Sequence, residues 1–151
     1  NLMNPLAHFE TTAEELLSQV DNITHFIAGV GTGGTISGIG KKLKQHNSNI
    51  QIILINFDEW PGIEGLKPIG EGHYIPGTFN QSIVDSVIYV DIEKAATISK
   101  LLASKGLFIG QSSGAYITAA IEVCRKHQNN SRVVTILNDI GERYFSTGIW
   151  E

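Results

Sequence analysis

From Gln51 to Phe57 the chain is almost entirely apolar and rich in β-branched side chains. A run that does not alternate suits a strand covered on both faces, the situation of a parallel sheet flanked by helices. Similar short runs span His25 to Val30, Val84 to Val90, Leu107 to Ile109 and Arg132 to Leu137. Helical patterns lie between them. Thr11-Thr12-Ala13-Glu14-Glu15 holds two overlapping capping boxes and predicts a helix over about 12–20. Thr35 to His46 places Ile36, Ile39 and Leu43 on one face. Asp91 caps a helix running to about Lys105, with Gly106 at the C′ position. A further helix covers Ser113 to Lys126. Strands alternating with helices predict an α/β fold with an open, mostly parallel, doubly wound sheet in three αβα layers. Ligands of such sheets sit beyond the carboxyl ends of the strands. Three loops, 29–35, 110–114 and 138–143, all follow predicted strands. The stretch from Asp58 to Ile83 lacks periodicity, and so long a connection reads as a functional loop or lid.

The charge balance removes several classes of partner. Eleven basic and fifteen acidic residues give −4, and no basic stripe exceeds Lys41-Lys42-Leu43-Lys44. Nucleic-acid binding through phosphates is therefore not expected. No apolar run reaches membrane-spanning length. No signal peptide is visible, and a cytoplasmic location is expected. The Asn-x-Ser/Thr triplets at Asn22, Asn80 and Asn129 are read as chance. The single cysteine, Cys124, forms neither an internal disulfide nor a multi-thiolate site. Its placement with Ile117 and Ile121 predicts core packing. Trp60 and Trp150 are also read as packing residues, and the five histidines have no metal-ligand spacing. Only 17% of the residues are charged, against a usual share of about a quarter. Part of the surface is thus expected to be covered by more protein. The chain starts at Asn1 with its only methionine at Met3, so it is expected to be processed or a piece of something longer.

The strongest local signal is Gly29-Val30-Gly31-Thr32-Gly33-Gly34-Thr35, between a strand and a helix. Glycines let backbone N–H groups approach a ligand, and the helix N-terminus favours an anion. Two threonine hydroxyls add donors, so the loop suits a terminal phosphate monoester. The same residues match a dinucleotide fingerprint through Gly29, Gly31 and Gly34, with Asp58 near the end of the next strand where a ribose-binding acid would lie. An NAD-binding Rossmann-type domain is therefore the alternative, and a tight turn without ligand the plainest one. Gly110-Gln111-Ser112-Ser113-Gly114-Ala115 is the second constellation: a serine there caps the helix or faces a ligand. Asn138-Asp139-Ile140-Gly141-Glu142-Arg143-Tyr144 sets polar groups just past the last strand.

Taken together, Asn4-Pro5, His8 through Thr12, Gly31 to Thr35, Gly110 to Ala115 and Gly141 to Thr147 resemble the C-terminal half of the cysteine synthase family. These are pyridoxal-phosphate enzymes of the tryptophan-synthase-β fold type (fold type II). The resemblance runs along essentially the whole chain, 1–151. Gly62 to Leu66, Tyr74 to Asn80 and Asn138-Asp139 are most similar to the B-type, an O-acetylserine sulfhydrylase. The resemblance implies that Gly31, Thr32, Gly33, Gly34 and Thr35 bind the phosphate of pyridoxal 5′-phosphate and that Ser112 pairs with its pyridine nitrogen. Asn138, Asp139 and Lys67 are implied to lie near the cofactor or the amino-acid substrate, Lys67 as a cation for an acidic substrate or as an ordinary solvated lysine. The implied reaction replaces the β-acetoxy group of O-acetylserine, or a similar leaving group, by sulfide or a thiol. A homodimer is also implied.

One departure bears on all of this. The family's Schiff-base lysine and its Thr-Ser-Gly-Asn-Thr substrate loop belong to the N-terminal half, and neither motif occurs in these 151 residues. The chain is therefore expected to hold the cofactor-phosphate part of an active site, with no catalytic residue of its own and no turnover on its own. A non-catalytic scaffold or regulatory module of the same fold remains the third alternative.

Overall fold

The computed structural model describes residues 1–128 and 131–150; Asn129, the start of one of the three Asn-x-Ser/Thr triplets, lies outside them. Four strands, β1 (His25–Ala28), β2 (Gln51–Asn56), β3 (Ser86–Tyr89) and β4 (Val133–Thr135), form one sheet in the order β3-β2-β1-β4. Every pairing is parallel, with His25 opposite Gln51 and Val133, and Ile53 opposite Ser86. The doubly wound, three-layer arrangement expected from the alternating pattern is present. Alternate side chains of β1 and β2 feed separate cores. Phe26, Ala28, Ile52 and Leu54 pack against Ile36, Ile39 and Leu43 of α3 (Gly34–His46) and Ala13 of α2 (Ala13–Gln19). Ile27, Ile53 and Ile55 pack on the opposite face against Ala95 of α4 (Ile92–Ser104) and Ala115, Tyr116, Ala119 and Val123 of α5 (Gln111–His127). Full burial of each large aliphatic chain contributes about 1.5–3 kcal/mol. This explains why β2 needed no polar alternation.

The helix ends follow their local chemistry. The Asp91 carboxylate accepts from Glu93 N (2.9 Å) and Lys94 N (3.1 Å), as a capping residue should. Gly106 has φ +89°. Its N–H donates to Ala103 O and that of Leu107 to Leu102 O, the paired bonds that close a helix C-terminus. Gly114 brings α4 and α5 together, since a Cβ there would lie 2.7 Å from Ala95 O.

Four expectations need correction. The first helix does not begin at Thr12. It opens with α1 (Met3–Ala7), passes through a π-helical turn (His8–Thr12) and continues into α2 without a side-chain cap from Thr12. Thr12 instead bonds His8, so its hydroxyl is not available as a cap. Leu107 to Ile109 forms no sheet strand but one antiparallel bridge, Ile109 to Ile140; with Gly106 and Gly110 on either side the run is too short for a ladder. Cys124 is exposed. The buried stripe of α5 runs through Ala115, Tyr116, Ala119 and Val123, and Cys124 lies one step around the helix from it. Trp60 is 87% exposed rather than packed, whereas Trp150 packs on Phe108 and donates to Gly141 O. Among the described residues, no helix is long and apolar enough to cross a membrane.

Candidate functional site

β1 has its sequence neighbour β2 on one side and β4 on the other, so the winding direction changes between β1 and β4. A crevice opens at the carboxyl ends of strands at such a point. It is a cleft of about 510 Å³, lined by the turn after β1, the residues after β4, the start of α5 and the π-helical turn. Of the residues named from sequence, Gly31, Thr32, Gly33, Thr35, Ser112, Asn138 and Asp139 all line it. Gly34 does not; its N–H donates to Thr32 Oγ1 (3.3 Å). Lys67 does not either. Its backbone N–H is tied to Val30 O (2.7 Å) and the residue is exposed.

The glycines of the turn work differently from the simple expectation that they clear space for a ligand. A Cβ on Gly31 would lie 2.6 Å from Gly65 O, one on Gly33 2.5 Å from Phe79 Cβ, and one on Gly34 1.9 Å from Asn4 Oδ1. Their missing side chains let the long loop and the first helix close around the turn. Gly33 also adopts φ +85°, a left-handed conformation in which glycine carries no Cβ penalty. The turn's polar groups are then left for the cleft. α3 starts at Gly34 without a capping side chain on Gly33. Its first-turn N–H groups have no partners within the helix.

The 58–80 connection is a tethered cover. Asn56 clamps it from within the core, its Nδ2 donating to Ile69 O (2.7 Å) and its Oδ1 accepting from Ile69 N (3.0 Å). Thr78 Oγ1 donates to Thr32 O (2.5 Å), and Glu64 N donates to Gln111 Oε1 (3.1 Å). Gly65 and Leu66 are brought over the cleft in this way.

On the far wall, Ser112 is 4% exposed and does not cap α5; its hydroxyl has no hydrogen-bond partner among the described residues. Ser113 accepts from Asn138 N (3.0 Å), and Gly110 N donates to Asp139 O (3.1 Å), which fixes α5 against the segment after β4. Tyr144 donates to Asp139 Oδ2, while Oδ1 is buried without a partner. Burial first, and then the Asp139 carboxylate, push the Tyr144 phenol up to about 12. Burial also raises Tyr116, opposed by hydrogen bonds with the Gly29 backbone and the Asn138 side chain.

Sequence reasoning attached no role to two residues here. Asn4 Nδ2 donates to Thr32 Oγ1 (3.1 Å). His8 bridges Thr12 Oγ1 (3.0 Å, from Nδ1) and Thr35 Oγ1 (3.1 Å, from Nε2). Burial holds His8 below its ordinary value of 6.5. Neither contact leaves a periodic signal, because the partners are 28 and 27 residues apart.

The donor set suits a phosphate monoester held without a cationic side chain. No lysine or arginine lines the cleft, and compensation comes from hydroxyl and backbone donors and the N-terminal dipole of α3. The Ser112 hydroxyl, in the wall of the cleft, stands free for a second polar atom of the ligand. Asp58, the acid a dinucleotide site would need, lines a separate surface hollow with Trp60 and Tyr89.

Comparison with known proteins agrees with this geometry. Residues 1–139 match the sequence profile of the pyridoxal-phosphate dependent enzymes. The chain is 43% identical, over 99% of its length, to a cysteine synthase of Aquifex aeolicus, of which it covers 47%. It is 39% identical to cysteine synthase B of Campylobacter jejuni, again over 99% of its length and covering 52% of that protein. The crystal structure of an O-ureido-L-serine synthase superposes with a TM-score of 0.90 at 31% identity, over 99% of this chain and 50% of the other. The chain thus spans about half the length of the curated relatives it matches. With the cleft at the winding reversal, its phosphate-type donors and the match over most of its length, the chain belongs to the pyridoxal-phosphate-dependent enzyme family.

Proposed function

We propose that these residues form the phosphate-side wall of an enzyme that exchanges the β-substituent of an activated serine, O-acetylserine or a close analogue, for sulfide or another thiol. The product is cysteine or an S-substituted cysteine. The observation that carries the reading is the pairing, in one cleft, of a glycine–threonine turn at a helix N-terminus with the hydroxyl of Ser112, which has no partner among the described residues. The names of the relatives support it, since cysteine and O-ureido-L-serine are both serine skeletons with a new β-substituent.

When bound, the cofactor supplies an electron sink for the substrate's Cα, which allows a β-substituent to depart and a thiol to add. Each group of this chain has a defined task. Gly31, Thr32 and Gly33 offer backbone N–H groups to the phosphate, and Thr32 and Thr35 offer hydroxyls. Ser112 gives the pyridine nitrogen a neutral partner, which suits β-replacement better than a carboxylate would. Asn138 and Asp139 shape the wall beside the ring. Gly65 and Leu66, on the tethered cover, exclude water above the turn. Lys67, exposed on the same cover, is a cation available to an approaching anion. No catalytic residue is assigned within residues 1–151. The lysine this chemistry needs is assigned, on the family resemblance, to the part of the full-length protein outside residues 1–151. The exposed apolar residues Leu2, Met3 and Phe145 are faces for that half and for a second subunit.

The test is direct. Full-length protein given pyridoxal phosphate, O-acetylserine and sulfide should release acetate and form cysteine, while residues 1–151 alone should form none. Cysteine production by the 151-residue chain, or a full-length protein that binds the cofactor and leaves every O-activated serine intact, would overturn the proposal.

A further inference from the structure

We propose that Asn4 and His8 are positioning residues that aim the Thr32 and Thr35 hydroxyl protons at the phosphate, Asn4 by donating to Thr32, and His8 by donating from Nε2 to Thr35 while accepting at Nδ1 from Thr12. The inference rests on the reading of the cleft as a phosphate site and says how that site is kept in its donating state.

A hydroxyl carries one proton to donate and two lone pairs that accept. At Thr32 both lone pairs are engaged by groups that only donate there, Asn4 Nδ2 (3.1 Å) and Gly34 N (3.3 Å). The Thr32 proton then has no acceptor among the described residues and is left for a ligand. At Thr35 the direction depends on the imidazole. The run Thr12, His8, Thr35 can be ordered in two ways. If Nδ1 carries the proton, His8 donates to Thr12 and draws the Thr35 proton inward onto Nε2. The Thr12 proton then has no acceptor, because His8 is that hydroxyl's only side-chain partner among the described residues. If Nε2 carries the proton, Thr12 donates to Nδ1, Nε2 donates to Thr35, and the one proton without an acceptor is that of Thr35, at the cleft. Thr12 and Thr35 both line the cleft, so either order leaves one hydroxyl proton facing it; only the second leaves that proton on the turn at the N-terminus of α3, where an anion is favoured. Burial of His8, which holds its pKa down, keeps the ring in the singly protonated state that this order requires.

The chain is built to bring this helix close. Gly34 and Gly38 lie one turn apart on α3, and a Cβ at either would meet the first helical segment, at 1.9 Å from Asn4 Oδ1 and 2.2 Å from Pro5 O. These two hydrogens form the shallow groove in which residues 4–9 sit. The π-helical turn begins at His8; such turns are rare and lie frequently at functional sites.

The experiment uses the full-length holoenzyme. Cofactor affinity is read from the visible absorption and fluorescence of bound pyridoxal phosphate, and the His8 tautomer from long-range ¹H–¹⁵N spectra. His8→Gln puts an amide donor where Nε2 stands and should keep affinity within about threefold. His8→Asn and His8→Ala lose that donor and should weaken binding about tenfold, the effect of one hydrogen bond in a charge-assisted set. The wild-type ring should be the neutral Nε2–H form. Wild-type affinity in His8→Ala and His8→Asn, or a ring in the Nδ1–H or doubly protonated form, would overturn the proposal. Thr35→Ala separates the two levels of argument. If it weakens binding while His8→Ala does not, only the role of His8 fails; if Thr35→Ala also binds normally, the phosphate reading itself fails. Should His8→Ala fail to fold, His8→Gln and the wild-type tautomer still decide the matter.

Discussion

Gly38→Ala is a severe test of the packing that holds the site together. Alanine is the better helix former, by about 1 kcal/mol in a helix interior, so propensity alone predicts stabilisation. The new Cβ would lie 2.2 Å from Pro5 O, 2.8 Å from His8 Cβ and 3.0 Å from Phe9 N. Two of these three atoms are backbone, and no rotamer change relieves them. The first helical segment must move away from α3. Overpacking of this kind costs about 1–3 kcal/mol. Offset by propensity, the net loss is about 1 kcal/mol, or roughly 2–4 °C in Tm for a domain of this size. Gly40→Ala is the matched control on the same helix. Its Cβ would meet only side chains, the nearest being the tip of Ile83 (Cδ1, 2.6 Å), which can swing aside, so that variant should melt at or above wild type. Differential scanning calorimetry of the full-length protein reads both. Gly38→Ala should also weaken pyridoxal phosphate binding, because the shift opens the 3.1 Å contact between His8 and Thr35. A Gly38→Ala protein that melts higher than wild type and binds cofactor normally would refute the groove argument.

Other predictions concern separate parts of the molecule. Asp91→Ala removes both bonds to the first turn of α4; it should cost about 1 kcal/mol in urea unfolding and leave cofactor affinity unchanged. His8 and His25 are both held below their ordinary 6.5, each mainly by burial, with the neighbouring His127 contributing at His25. The unfolded chain therefore binds more protons than the folded one as pH falls through 6.5. Their contribution to stability is present above that pH and is lost below it. Unfolding free energy measured from pH 8 to pH 5 should decline on the acid side, and His25→Asn should flatten the decline; a curve unchanged by that substitution would contradict it. Ser112→Ala should leave the fold intact, since the hydroxyl has no protein partner, yet lower kcat of the full-length enzyme on the order of tenfold or more.

Most of the layout is legible in the residues because it rests on short-range chemistry. The unalternating β2 run announced a strand with two buried faces, and Asp91 and Gly106 marked the ends of α4 by the bonds they make. The three loops were legible as one site because parallel strands put their carboxyl ends on a single edge. What escaped was decided through space. Thr11 and Thr12 look like caps only if nothing upstream is helical, and in the fold Thr12 is committed to His8. Asn4 and His8 carry no pattern of their own. They matter because Gly34 and Gly38 let their helix lie against α3, a relation visible only once the two are packed. Cys124 departs from its local pattern for a similar reason. Its neighbours Ile117 and Ile121 are apolar, but the sheet meets the adjacent stripe of α5. The low charge content has its counterpart in exposed apolar residues such as Leu2, Met3 and Phe145.

The central claim is that the turn from Gly31 to Thr35 holds a phosphate at the reversal point between β1 and β4. A crystal structure of the full-length protein with pyridoxal phosphate bound tests it most directly. The account predicts phosphate oxygens within hydrogen-bonding distance of the Thr32 and Thr35 hydroxyls and the first turn of α3, with Ser112 Oγ beside the ring nitrogen. A phosphate seated anywhere else, with that turn facing bulk water, would contradict it.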